Sequence, residues 1–523
     1  MPAAVHLESI THRVDYCDPI LLYHHLMGDR AGGLLLESAE IDSKRHLNSY
    51  LLVQAALEVR CDGNRVALTA LTDNGLRLLQ GLAGSTSLTW DGPMVSAEGV
   101  AGRLTASFAT ADPNLDEDQR LRAPSVMTPL RMIGDHVRIN SSVPEALFLG
   151  GLFGYDLVEC FESLPDPVPG GQGQCPNYLF YVAEQLIHLD HRNASGQLIG
   201  SWFYQQADSV QREAMEAAVA ETARRCQNLN ILDLPPAEPG PADHAVDKND
   251  EEFNQIVTRL KERILEGEVF QIVPSRSFSL PCRFPLRAYR RLRKLNPSPY
   301  MFYMSASDFV LFGASPEMAV RYSAPQRLVE VCPIAGTRHR GKHPDGTINH
   351  DLDGRIELEL RTDTKEMAEH LMLVDLARND LARICEPGSR HVAQLLKVDR
   401  YSHVMHLVSR VAGHLRSDLD ALHAWQACMN MGTLTGAPKV RAMQLIRQTE
   451  NSRRDHYGGG IGYLLGGGDM ETCIVIRAAL VVDGMARVQA GAGIVHDSVP
   501  QSESDETRTK AAAVLTALQT VHE

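Results

Sequence analysis

Between positions 234 and 243 the chain reads Leu234-Pro235-Pro236-Ala237-Glu238-Pro239-Gly240-Pro241-Ala242-Asp243. Four prolines and a glycine in so short a stretch forbid a regular helix or a central strand. The segment divides the 523 residues into a part over 1–232 and a part over 249–523, joined by a linker over 233–248. Before it, residues 34–36 read as a buried strand. Residues 46–60 and 66–71 read as a hairpin about Asp62-Gly63-Asn64, and 209–226 as a helix. After it, Phe253, Ile256, Val257, Leu260 and Ile264 recur at helical spacing, with Asn249 and Glu252 as a capping box and Gly267 as a stop. Residues 309–312 and 318–322 look like strands and 364–384 like a long helix. Residues 472–482 and 486–495 look like a hairpin about Asp483-Gly484, and about 502–521 like a terminal helix. Without a βαβ rhythm, this order predicts an α+β fold with a mixed, largely antiparallel sheet.

Composition narrows the function classes. Lys plus Arg total 51 and Asp plus Glu 65, a net charge of −14, which argues against a nucleic-acid partner. No apolar run of about 18 residues occurs and the first residues lack a signal pattern, so the expectation is a cytoplasmic protein without a membrane span. Ten scattered cysteines, never three apart, read as reduced packing thiols.

Four features could carry chemistry. Glu366 and Glu369 lie three apart on one helix face, with Met367, Leu371 and Val374 expected on the buried one, and Glu503 and Glu506 repeat the spacing near the C-terminus. Facing one another, they make a hard oxygen cage for Mg²⁺ or Mn²⁺; apart, they are two acidic first turns favoured by the helix dipole. Glycine clusters at Tyr457-Gly458-Gly459-Gly460-Ile461-Gly462 and Gly491-Ala492-Gly493 either bring backbone amides to an anion or serve close strand packing, and neither has dinucleotide spacing. Arg477 interrupts an apolar run, so it pairs with a carboxylate of the protein or of a ligand. His406, in apolar company, is a general acid or a hydrogen-bonded core histidine.

Taken together, Ile334-Ala335-Gly336-Thr337-Arg338, residues 366–380, Val398-Asp399-Arg400-Tyr401-Ser402-His403-Val404-Met405-His406, Gly432-Thr433-Leu434-Thr435-Gly436-Ala437-Pro438-Lys439 and Gly491 through Thr507 resemble the chorismate-utilising enzymes. Members that attack with lysine, or activate water with it, carry that residue where this chain has Ala335 or Gln271. Neither side chain can do so, which leaves ammonia as the external nucleophile. Leu34-Leu35-Leu36-Glu37-Ser38 and Asn296-Pro297-Ser298-Pro299-Tyr300-Met301 resemble the tryptophan-site elements of the anthranilate synthase large subunits.

The resemblance implies a two-domain fold of sheets packed as a sandwich with helices outside, the 1–232 part regulatory and the 249–523 part catalytic. It implies conversion of chorismate and ammonia to anthranilate and pyruvate, the first step of tryptophan biosynthesis. Mg²⁺ is expected on Glu369 and Glu506, with Glu366 and Glu503 acting through water. Gly336, Thr337, Tyr457, Arg477, Gly491, Ala492 and Gly493 are expected on chorismate, and Glu317, His406 and Thr433 in catalysis. Ser38, Pro299, Tyr300 and Met301 are expected to bind inhibitory L-tryptophan. The length leaves no glutaminase segment, so a separate amidotransferase subunit is expected to supply ammonia, in a heterotetramer of two large and two small chains. Aminodeoxychorismate synthase is the nearest alternative activity.

Overall fold

The computed structural model describes residues 5–38, 47–85, 102–109, 114–165, 173–206, 209–227, 229, 243–401 and 404–519. Residues 233–242 of the expected linker, with His46, Ser402 and His403, lie outside them. At the linker's far end, Ala245–Val246 form a short strand against Ser279 and Phe278.

Two long strands, Asn48–Asp62 and Tyr178–Asp190, pair antiparallel with bulges between Leu52 and Leu57, and two arms of sheet grow from them. One arm runs through Gly33–Glu37, Tyr300–Ser305, Val310–Ser315, Ala478–Val482, Met485–Gly491 and Ser275–Pro281. The other runs through Phe148–Phe153, Gly460–Leu465, Met470–Ile474, Met318–Ser323, Leu328–Val331 and Val404–His414. Among the described residues the only parallel register joins Val5–Val14 to Val137–Ile139. Leu34, Phe302 and Leu480 of the first arm share one apolar cluster with Phe148, Ile461 and Cys473 of the second, so the arms face each other across a core. Strands from before the proline-rich segment are therefore hydrogen-bonded into sheets built from after it. No helix is long and apolar enough to cross a membrane among the described residues, and no disulfide joins any of their cysteines.

Local signals place the helices that matter for the site. The helix Asp250–Leu265 begins at the Asn249–Glu252 capping box, and Gly267 follows its end at φ +80°. Asp363 caps Thr364–Ala382 by accepting from the Lys365 and Glu366 amides. This helix lies across Ile334–His339 and Val404–His414, while Pro500–Gln519 packs on Met485–Gly491.

Two expectations need correction. The run 472–482 is not one strand: Met470–Ile474 ends, the chain turns at Arg477 with φ +50°, and Ala478–Val482 joins the other arm. An apolar pattern cannot reveal this, because it reads the same through a change of hydrogen-bonding partner. On Thr364–Ala382 the buried stripe is His370, Leu373, Val374, Ala377 and Leu381, and Leu371 is 42% exposed. His370 is accommodated in that stripe by a 2.6 Å hydrogen bond to Ser409.

Candidate active site

A cavity of about 540 Å³ opens between the helices Thr364–Ala382 and Pro500–Gln519 and the strand ends they cover. Of the catalytic, chorismate and metal residues expected from the sequence, all but Ala492 line it. Register explains one group: Thr337 lies opposite His406 on neighbouring strands, and their side chains hydrogen-bond at 2.9 Å. Glu317 sits in the turn between Val310–Ser315 and Met318–Ser323, and the Thr433 hydroxyl donates to its carboxylate at 3.1 Å. Gly336 holds φ +78°, a conformation costly for any residue with a Cβ.

Burial separates the two acid candidates. Desolvation pushes the Glu317 carboxyl up to about 8, only partly opposed by Thr433, a backbone hydrogen bond, Arg477 and Lys510. Desolvation, reinforced by Arg477, pulls His406 down to about 3. At neutral pH Glu317 therefore carries a proton and His406 does not. Arg477 faces Glu317 and Tyr401, yet among the described residues no carboxylate forms an ion pair with its guanidinium. Enclosed by cavity walls, its charge is left for an anionic ligand.

Four carboxylates line the same cavity from its two covering helices. Burial raises Glu369 to about 7, and Glu366, Glu503 and Glu506 push the same way against Lys365. Glu366 is held by Arg338 at 2.8 Å, Glu369 faces Lys365 at 3.8 Å, and Glu506 pairs with Lys510 at 2.7 Å. Among the described residues no three acidic, histidine or cysteine side chains are drawn together tightly enough to form a ready cage. The donor set is nonetheless all oxygen, from two facing helices, and its mutual repulsion is what a hard divalent cation relieves.

The glycines divide between the two readings. A side chain at Gly459 or Gly462 would strike the Phe153 or Glu471 carbonyl at 2.1 or 2.0 Å, so these serve strand packing. At Gly491 a Cβ would strike the Pro274 carbonyl at 2.6 Å and stand 3.0 Å from the Tyr457 hydroxyl, so it serves strand packing as well as the cavity wall, and at Gly493 it would stand 2.8 Å from Gln271 Nε2. Ala492 points away into an apolar cluster, and its amide donates to the Pro274 carbonyl at 3.2 Å, which removes it from the cradle.

Sequence reasoning passed over Lys510, which donates to the Gly491 carbonyl at 3.0 Å and ties the terminal helix to the glycine turn. Its i,i+4 spacing from Glu506 was the available signal. It treated Gln271 only as the absence of a lysine, whereas Gln271 lines the cavity with Oε1 buried and without a hydrogen-bond partner among the described residues.

A second, small cavity of about 70 Å³ lies between the sheet arms. Met301 pairs with Glu37, which brings Ser38, Tyr300 and Met301 to its wall, whereas Pro299 does not line it. Asn48, Tyr50, Tyr463 and Glu471 complete it, and the Tyr300 hydroxyl donates to Glu471 at 2.9 Å. Asn296, Pro297 and Ser298 of the same segment line the large cavity.

An anion-seeking arginine, a protonated buried acid and a carboxylate wall, set on interleaved antiparallel sheets, define an enzyme acting on a small carboxylic acid. The family model described as chorismate binding enzyme matches residues 91–516. Anthranilate synthase component 1 of Salmonella typhimurium is 52% identical over 523 residues, covering 99% of this chain and 98% of its own. That of Vibrio cholerae is 53% identical over 520 residues, covering 99% and 97%. The crystal structure of anthranilate synthase component I from Streptococcus pneumoniae superposes with a TM-score of 0.67 at 27% identity, covering 96% of this chain and 98% of that one. The menaquinone-specific isochorismate synthase of Escherichia coli shares the fold, with a TM-score of 0.63 at 18% identity. The chain belongs to the chorismate-binding enzymes and, within them, to the anthranilate synthase component 1 family.

Proposed function

We propose that the chain forms anthranilate and pyruvate from chorismate and ammonia, in the first step of tryptophan biosynthesis, with a separate glutamine amidotransferase subunit as the ammonia source. The observation that carries this reading is Arg477, a cavity-lining guanidinium that makes no ion pair with a carboxylate among the described residues, in the cavity that Glu366, Glu369, Glu503 and Glu506 also line. Glu369 and Glu506 would hold a Mg²⁺, with Glu366 and Glu503 beside them, so that a dicarboxylate would have Arg477 for one carboxylate and the metal for the other. Bound Mg²⁺ supplies the positive charge that neutralises that second carboxylate. The Gly491 and Gly493 backbone and Tyr457 shape the cavity wall, and Gly336 and Thr337 its floor.

Glu317, protonated and held by Thr433, donates its proton to the departing ring hydroxyl, which leaves as water. His406, neutral, orients Thr337 through their hydrogen bond. The unpartnered Gln271 oxygen accepts an N–H from ammonia and holds it in the cavity. No lysine stands at 335 or 271 to attack carbon or activate water, which favours amination over hydration. Incubation with chorismate, Mg²⁺ and ammonium is expected to release fluorescent anthranilate; a non-aromatic aminated product would instead assign aminodeoxychorismate synthase.

We also infer that L-tryptophan inhibits by filling the small cavity at Ser38, Tyr300 and Met301. The stretch from Asn296 to Met301 supports this, since its first residues line the large cavity and its last the small one. Ser38→Phe is expected to raise the tryptophan concentration for half-inhibition more than about tenfold, a loss of about 1.4 kcal/mol of binding, with kcat nearly unchanged. Wild-type enzyme indifferent to tryptophan refutes this reading.

A further inference from the structure

Tyr401 lines the catalytic cavity without a part in the acid, metal or arginine chemistry. It follows the strand His391–Arg400, and its amide donates to the carbonyl of Val404, the first residue of Val404–His414, at 2.8 Å. Its own carbonyl accepts from Arg340 Nη1 at 2.6 Å, and the same guanidinium grips Asp353 with Nε and Nη2, each at 2.9 Å. Asp353 is buried and also accepts from the Gly341 amide at 2.8 Å. A two-point arginine on a buried carboxylate is a rigid anchor, so the backbone at Tyr401 has little freedom.

The ring is fixed as well. It packs edge-on against the His406 imidazole, with centroids 5.1 Å apart and planes at 73°. Tyr401 is only 8% exposed, yet among the described residues its hydroxyl makes no hydrogen bond. A buried tyrosine usually finds a partner for that group, and here the cavity is where a partner can come from. Arg477 faces the same phenol. Burial and the neighbouring Asp399 hold the phenol protonated against the pull of Arg477, so through neutrality it is a donor.

We propose that Tyr401 binds substrate, its hydroxyl donating a hydrogen bond to the carboxylate that Arg477 takes. The inference rests on the reading of Arg477 as a carboxylate clamp and adds to it a neutral second donor. The guanidinium supplies charge, and the anchored hydroxyl fixes the direction from which the carboxylate is approached. A carboxylate remote from the breaking bonds is held alike in bound substrate and in the transition state, so loss of this contact weakens binding more than turnover.

Steady-state kinetics with varied chorismate, in excess ammonium and Mg²⁺, test this in Tyr401→Phe, in Arg477→Gln and in the double variant. Tyr401→Phe removes one oxygen and keeps the ring against His406. It is expected to raise the KM for chorismate about tenfold or more, as loss of a hydrogen bond to a charged group does, with most of the fall in kcat/KM lying in KM. In the double variant the second substitution is expected to cost less than it does alone, because both donors serve one carboxylate. An unchanged KM in Tyr401→Phe, a loss confined to kcat, or costs that simply add overturns the shared carboxylate. An unchanged KM in Arg477→Gln refutes instead the clamp on which it rests.

Discussion

Glu369→Gln is expected to abolish anthranilate formation, lowering kcat/KM roughly a thousandfold or more with ammonium and with glutamine alike, as loss of a charge-neutralising contact worth several kcal/mol does. The argument is electrostatic. Glu369 is half-buried and crowded by Glu366, Glu503 and Glu506, so its carboxyl is pushed up to about 7. A group in that position gains most when a divalent cation replaces Lys365 as its partner, and glutamine offers neither the charge nor the second anionic oxygen. Glu506→Gln should behave likewise, after releasing Lys510. Glu366→Gln, whose carboxylate already has Arg338, should lose less. Titration calorimetry with Mg²⁺ supplies a readout independent of turnover: the Glu369 and Glu506 variants should lose the binding heat that wild type shows. Near-normal ammonium-dependent turnover in either variant overturns the metal assignment.

The second large effect concerns the proton donor. Glu317→Gln is expected to lower kcat by about 10²–10⁴-fold, the usual worth of a positioned general acid, with a smaller effect on KM. Wild type carries the accompanying pH signature. A carboxyl raised to about 8 holds its proton below that pH and releases it above, so kcat should be flat through neutrality and fall as pH rises through about 8. His406 predicts the opposite limb: pulled down to about 3, it would act as an acid only at pH values far below neutrality. A profile whose alkaline limb stays put in Glu317→Gln would remove Glu317 from the acid role.

Much of the architecture was legible because its signals are local. The Asn249–Glu252 box and the apolar spacing from Phe253 to Ile264 locate a helix by hydrogen bonds and burial within a few residues. The Glu366/Glu369 and Glu503/Glu506 pairs are visible for the same reason, since three-residue spacing is one face of a helix whatever lies opposite. The strand break at Arg477 was not legible, because it follows from a change of strand partner far away in the chain. Leu371 was placed on the wrong face because several apolar stripes fit so apolar a helix, and only the sheet beneath it selects one. Ala492 lies between two cavity-lining glycines just past the strand end, yet its amide bonds the Pro274 carbonyl and its side chain joins an apolar cluster.

By itself the sequence determined the inventory: two carboxylate pairs, an arginine within an apolar run, no lysine at 335 or 271, and motif order that resembles the chorismate-utilising enzymes. Residue identity sets what each group can donate, accept or attack, and that survives without coordinates. Tertiary structure decided which groups share a cavity, that Arg477 forms no carboxylate ion pair among the described residues, and that the proton rests on Glu317 and not on His406. Those are outcomes of burial and of distances between residues far apart in the chain. The desolvation that raises one acid and the lone pair left unpartnered on Gln271 among the described residues exist only once the helices Thr364–Ala382 and Pro500–Gln519 have covered the strand ends.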